Sequence, residues 1–364
     1  MLIGGALHER SLLLRSFFVD TKGLLWYNRL FLHAERGVLL IVRCIEMFES
    51  LKMKKRSVIL DTDIGPDCDD VGALVVLFSY AAENNVPVLG VCNCTSNQYG
   101  TATVDAIREY CGFPEVVLGG FSKPGFYSDS VRYNKYIAET YSTNYQNGVL
   151  KVLPHVDFYR SLLANAEDDS VVLVTIGMFN TFADFLKSGA DGYSDLTGIE
   201  LAKKKIHSVV SMAAILPAGR EFNVICDYEA SKFCFENCPC PMYLSDFKIG
   251  FSVFTGYAPE DAEKYRNNPI FDSYQLHTKD WEKVGFNKSF DLTAVQFAFE
   301  GEGELYSLTA PGRLEFFNEA PDRLPNADAT RFVEAADGNI RFMVKNASDE
   351  SIAALLQARM DQYC

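Results

Sequence analysis

From Val58 onward, short β-branched runs alternate with segments of helical periodicity, and this alternation limits the fold more than any other feature of the chain. Val58–Leu60, Val88–Cys92, Val116–Leu118, Val171–Ile176 and His207–Met212 read as strands buried on both faces, because each is almost continuously apolar rather than alternating with polar residues. Val71–Ala82, Thr103–Tyr110, Thr181–Lys187 and Tyr228–Phe235 carry apolar residues at helical spacing. Strand–helix order of this kind predicts an α/β fold with a mostly parallel central sheet, right-handed crossovers and helices on both faces. The segment 121–154, rich in Tyr, Ser and Asn, reads as a long excursion from the sheet that forms a lid. The tail from Glu300 predicts a strand at Ile340–Val344 and a helix at Glu350–Met360, and residues 301–364 are expected to pack as an appendage on the domain spanning 53–300. Residues 1–52 lack sustained periodicity and are expected to have no fold of their own.

A net charge of −14 offers no broad basic face for a phosphate backbone, so nucleic acid is not an expected partner. No run approaches the roughly 18 apolar residues of a membrane span, and the start lacks the ordered regions of a secretory signal. A soluble, cytoplasmic protein is therefore expected, and its ten cysteines fit reduced thiols. Cys234, Cys238 and Cys240, near Cys226, lack the paired spacing of a zinc site.

The chemistry concentrates directly after the first strand. Asp61-Thr62-Asp63-Ile64-Gly65-Pro66-Asp67-Cys68-Asp69-Asp70 places five carboxylates in ten residues, beyond the carboxyl end of a strand where open α/β sheets bind ligands. Like charges so close repel, whereas a hard divalent cation takes several carboxylate oxygens and reverses that cost. An EF-hand is excluded, since the sixth and twelfth positions are Pro66 and Gly72. A phosphatase of the haloacid dehalogenase type also opens with Asp-x-Asp after a strand and is the alternative enzyme. A solvated acidic loop capping the next helix accounts for Asp69 and Asp70 but not for all five acids.

Asp61, Asp63, Gly65, Asp69 and Asp70 with the helix that follows resemble the opening motif of the nucleoside hydrolases, the inosine–uridine-preferring type, with Asp67-Cys68 apparently inserted. The resemblance extends from Val58 to about Phe299 through Asn97, Val174-Thr175-Ile176-Gly177, Met212, Glu221-Phe222-Asn223 and Ser289-Phe290-Asp291-Leu292. It implies a doubly wound sheet and cleavage of an N-glycosidic bond in a nucleoside or ribosyl substrate. It further implies a Ca²⁺ ion held by Asp63, Asp70, Asp291 and the carbonyl of Ile176, with Asp63 also the general base. Asp69, Asn97, Met212, Glu221 and Asn223 would contact the substrate. An assembly of identical chains is left open.

Two departures concern the leaving group: Phe290 stands where many members have His, and the His-Gly after the third strand is missing, His155 being followed by Val156. His277 and Tyr274 are the candidate substitutes, and base preference stays open. An Asn found before the Glu-Phe-Asn segment in many members is replaced by Ile215-Leu216-Pro217. A protein that keeps the ribose pocket without turnover is the third reading.

Overall fold

The computed structural model describes residues 56–128, 132–317 and 329–363. The expectation about residues 1–52 lies outside them. Five consecutive parallel strands form around the apolar runs: β1 (Ser57–Thr62), β2 (Val88–Asn93), β3 (Val117–Gly120), β4 (Leu153–Pro154) and β5 (Val171–Thr175). They are followed by β6 (Ile206–Met212), β7 (Ala218–Gly219), β8 (Met242–Ser245), β9 (Phe254–Gly256), β10 (Phe286–Lys288), β11 (Tyr306–Leu308), β12 (Gly312–Phe316), β13 (Thr330–Glu334) and β14 (Ile340–Lys345). In space the sheet runs β4-β3-β2-β1-β5-β6-β8-β14-β12-β13-β7, with β11 paired to β14 and a separate ribbon of β9 and β10. Pairing is parallel from β4 through β8 to β14 and antiparallel beyond. This is the doubly wound, mostly parallel α/β sheet expected from the strand–helix alternation.

Alternate side chains of each central strand enter different cores. Leu60, Val172, Val174 and Val210 join one cluster, while Ile59, Val171, Leu173 and Val209 join the other on the opposite face. Continuous apolar runs are thereby explained, since both faces are covered. The helix Asp69–Asn84 is buried along its whole apolar length, Val71 to Ala81, because the helices Phe290–Glu300 and Asp349–Met360 pack over it. Tyr80 stacks on Phe299 and donates to Glu300 Oε1 at 2.8 Å, and Ser79 donates to Gln362 Oε1 at 2.8 Å. Truncating a fully buried residue here, such as Leu74→Ala, would cost about 2–5 kcal/mol.

Residues beyond 300 do more than cover a surface: β14 is inserted in the sheet, parallel to β8 with Phe342 opposite Leu244. The segment 121–154 carries the helices Asn134–Tyr141 and Thr143–Gln146 before β4. The sheet order reverses between β1 and β5, whose following crossovers run to opposite sides, so a crevice opens beyond their carboxyl ends.

Candidate active site

The segment after β1 enters that crevice. Two backbone hydrogen bonds hold its edges, Ile176 N–H to the Asp61 carbonyl and Cys94 N–H to the Thr62 carbonyl, both at 2.8 Å. Gly65, with φ at 147°, takes a conformation that side-chain-bearing residues rarely adopt, and it redirects the chain. Gly177 permits the closest approach, because a Cβ there would lie 2.6 Å from the backbone nitrogen of Asp63 and 2.7 Å from Cys94 Sγ.

Strand alternation then separates the acids. Asp61 shares a face with Ile59 and points toward the second core, where the Tyr159 hydroxyl and the Thr181 hydroxyl (2.5 Å) donate to its Oδ2. Burial raises its pKa to about 7 against the effect of those donors. Thr62, on the opposite face, donates its hydroxyl to Asp70 Oδ1, a contact with no local signal beyond that alternation.

Asp69 and Asp70 occupy the first turn of the helix Asp69–Asn84, and Asp291 the first turn of Phe290–Glu300. One carboxylate oxygen from each lies within 4.8 Å of the others, and all three residues are buried. Asp63 is also buried, its pKa raised to about 8 by burial first and then by the Asp69 charge. Burial and neighbouring carboxylates raise Asp69, Asp70 and Asp291 well above the usual range as well. A donor set of oxygens alone fits a hard cation, and ligands across a calcium ion stand about 4.6–5.2 Å apart given Ca–O distances of 2.3–2.6 Å. The residues present therefore fit the expected metal. Asp69, expected at the sugar, contributes an oxygen to this group.

The remaining expected residues lie at or after the carboxyl ends of β2 and β6. Asn223 Nδ2 donates to the carbonyls of Ile176 and Met212, each at 3.1 Å, joining the ends of β5 and β6. Glu221 is the N-cap of the helix Phe222–Cys226: Oε1 accepts from Asn223 N–H at 2.8 Å, and Oε2 from Val224 and Ala214 N–H at 3.1 and 3.2 Å. Burial nonetheless raises it to about 7. Asn97 is buried and accepts from Tyr99 N–H at 2.9 Å, fixing the turn before the helix Gly100–Tyr110.

The two histidines of the leaving-group question have different surroundings. His155 Nε2 pairs with Asp184 Oδ2 at 2.9 Å beneath Phe121, and burial lowers its pKa. His277 lies against the inserted residue, its Nε2 3.3 Å from Asp67 Oδ1. Phe290 stacks on Phe247 at 5.1 Å.

Sequence reasoning missed an aromatic wall. Phe126 meets Tyr127 edge-on at 5.1 Å, Tyr127 meets Phe222 at 5.8 Å, and the Tyr127 hydroxyl donates to Cys226 Sγ at 2.7 Å. Phe126 also bonds through its backbone to Ser96, beside Asn97. The signal available was the density of aromatics at 121–127, read only as part of a lid. Cys234, Cys238 and Cys240 each direct Sγ to a backbone carbonyl, and among the described residues they form no ligand group.

No protein-family model and no curated protein matches the chain. Solved structures do. An inosine-guanosine nucleoside hydrolase aligns with a TM-score of 0.63 at 17% identity, over 85% of this chain and 99% of its own. A plant nucleoside hydrolase aligns with a TM-score of 0.57 at 14% identity, over 84% and 99%. The type III effector protein XopQ, complexed with adenosine diphosphate ribose, aligns with a TM-score of 0.58 at 13% identity, over 91% and 99%. No helix among the described residues is long and apolar enough to cross a membrane. By its likeness to these solved structures, the chain has the fold of the nucleoside hydrolases.

Proposed function

We propose that the chain is a hydrolase that cleaves the N-glycosidic bond of a ribonucleoside or related N-riboside. The observation that carries this reading is the gathering of buried carboxylates from distant parts of the chain, Asp69 and Asp70 with Asp291, at the point where the sheet order reverses. Breaking the bond builds positive charge on the sugar and requires an activated water at C1′. A calcium ion bound by Asp63, Asp70, Asp291 and the Ile176 carbonyl would orient and acidify that water. Asp63 accepts its proton as the general base. Asp69, Asn97, Glu221 and Asn223 grip the ribose hydroxyls; Glu221 retains acceptor capacity because a carboxylate offers about four sites. Phe126, Tyr127 and Phe222 supply apolar faces for the base, with Met212 against the sugar.

Release of reducing sugar from a nucleoside panel, measured with calcium and with chelator, tests the proposal. Calcium-dependent release is expected, and none from any nucleoside would overturn it.

Two observations favour a second reading. Phe290 is committed to ring packing and offers no proton to a departing base. A neighbour of this fold is known complexed with adenosine diphosphate ribose. A ribose-binding protein that turns over poorly accounts for both, and it would bind a nucleoside or adenosine diphosphate ribose in calorimetry without consuming it.

A further inference from the structure

A second group of ligand-type side chains stands beside the carboxylates, and the proposed hydrolysis does not use it. Asp67 and Cys68 are the apparent insertion before the Asp69-Asp70 pair, and His277 comes from the helix Pro269–Thr278. One ligand atom from each lies within 4.8 Å of the others. Cys68 and the His277 ring are buried, whereas the Asp67 side chain is 35% exposed, which leaves a path from solvent.

His277 is the anomaly. It is 95% buried at 5% relative exposure, and neither ring nitrogen has a hydrogen-bond partner. Leaving such a nitrogen unmatched costs about 1–3 kcal/mol. Its Nε2 is 3.3 Å from Asp67 Oδ1, close enough for an ion pair, but the contact lacks the geometry of a hydrogen bond. A tetrahedral metal site has this spacing: with metal–N and metal–O distances near 2.0–2.1 Å, two ligands stand about 3.3–3.4 Å apart, each lone pair aimed at the centre rather than at its neighbour. Asn287 completes the picture. Its amide N–H donates both to Asp67 Oδ1 and to Cys68 Sγ (3.5 Å), so positive hydrogens occupy the space between two would-be anionic ligands. Its Oδ1 accepts from the Lys288 N–H at 2.8 Å, which fixes the amide in this orientation.

We propose that Asp67, Cys68 and His277 form a second metal site, selective for Zn²⁺ or a similar borderline cation and distinct from the all-oxygen site at Asp69, Asp70 and Asp291. Thiolate and imidazole favour such ions over calcium. Binding forms the sulfur–metal bond and releases the Cys68 thiol proton to solvent. The site joins the loop after β1 to the helix Pro269–Thr278, so an ion there fixes the backbone immediately before Asp69 and Asp70. It also ties up His277, which then has no role in protonating a leaving group.

Cobalt provides the test, because a thiolate ligand gives a charge-transfer band in the near ultraviolet and carboxylates do not. Full-length protein titrated with Co²⁺ should develop this band at one equivalent of sulfur-bound metal. Asp291→Ala should retain it, while Cys68→Ser and His277→Ala should lose it. X-ray absorption of the unmutated Zn²⁺ form keeps the test independent of variant folding: one sulfur with nitrogen and oxygen scatterers is expected. Absence of the band, its persistence in Cys68→Ser, or a zinc shell with no sulfur or with several would overturn the proposal.

Discussion

The backbone N–H of Asp291 donates to Asp69 Oδ2 at 3.1 Å, so a carboxylate in the first turn of one helix caps another helix 222 positions further along the chain. Two helix N-termini thereby converge on the same few carboxylates, and their dipoles offset part of the repulsion among them. The cap also frees the Asp291 side chain from capping its own helix, leaving its oxygen to join Asp69 and Asp70.

Asp70 should be the most sensitive ligand, since it is buried at the helix start and oriented by Thr62. Asp70→Ala is expected to weaken calcium binding by at least tenfold, about 1.4 kcal/mol, in calorimetry. Unchanged affinity would remove Asp70 from the metal site.

Glu221 should leave a mark on stability against pH. Burial holds its folded pKa at about 7, above the ordinary value of 4.5. Because the folded state keeps this proton more tightly than the unfolded one, its contribution is fully present below the unfolded value and is lost as pH rises through about 7. The slope is at most about 1.4 kcal/mol per pH unit. Chemical denaturation of Glu221→Gln between pH 5 and 8 should show a flatter dependence than the parent, whatever its absolute stability.

Gly177 is expected to tolerate no side chain. The Cβ of Gly177→Ala would meet the Asp63 backbone, which is tethered and cannot swing aside as a flexible side chain would. Overpacking of this kind costs about 1–3 kcal/mol, and a displaced Asp63 should reduce calcium affinity roughly tenfold. Equal affinity in the alanine variant would mean that the loop shifts freely.

The sheet was legible because its strands are apolar on both faces, as in Val171-Val172-Leu173-Val174. β8 was not: Met242-Tyr243-Leu244-Ser245 follows a cysteine–proline stretch and is too short to show a period, and it is specified by its neighbours β6 and β14. The helix His155–Asn165 was obscured for a similar reason, its polar face interrupting a weak pattern after Pro154. At the site, the Asp-x-Asp motif located the crevice, and strand alternation explains why Asp61 leaves it. Nothing local could reveal that Asp69 would cap a helix beginning at Phe290, or that Asp67 would face His277, because both depend on elements far apart in sequence.

Phe222 is 45% exposed although it sits between Glu221 and Asn223, which are buried. An exposed ring at that place suits a base stacked against it and Tyr127. Phe222→Ala should raise KM for purine nucleosides several-fold while changing kcat less, since stacking of this kind is worth about 1–3 kcal/mol and acts before the bond breaks. A fall in kcat at constant KM would instead place the ring in organising the helix that carries Asn223.

Asp63 carries the most demanding assignment, because it is proposed both as metal ligand and as general base. Asp63→Asn preserves size and one coordinating oxygen but removes the proton acceptor, so the chemical step should suffer far more than sugar binding. General-base assistance contributes about 10²–10⁴-fold in rate, and disturbed coordination would add to the loss. A nucleoside with an activated leaving group is the right substrate, since Phe290 offers no proton and protonation must not limit the rate. Calcium content has to be measured on the same sample to separate the two roles. If kcat stayed near normal with calcium fully bound, water activation would belong to another carboxylate; Asp67, whose Oδ1 already faces His277 and Asn287, would be the first to test.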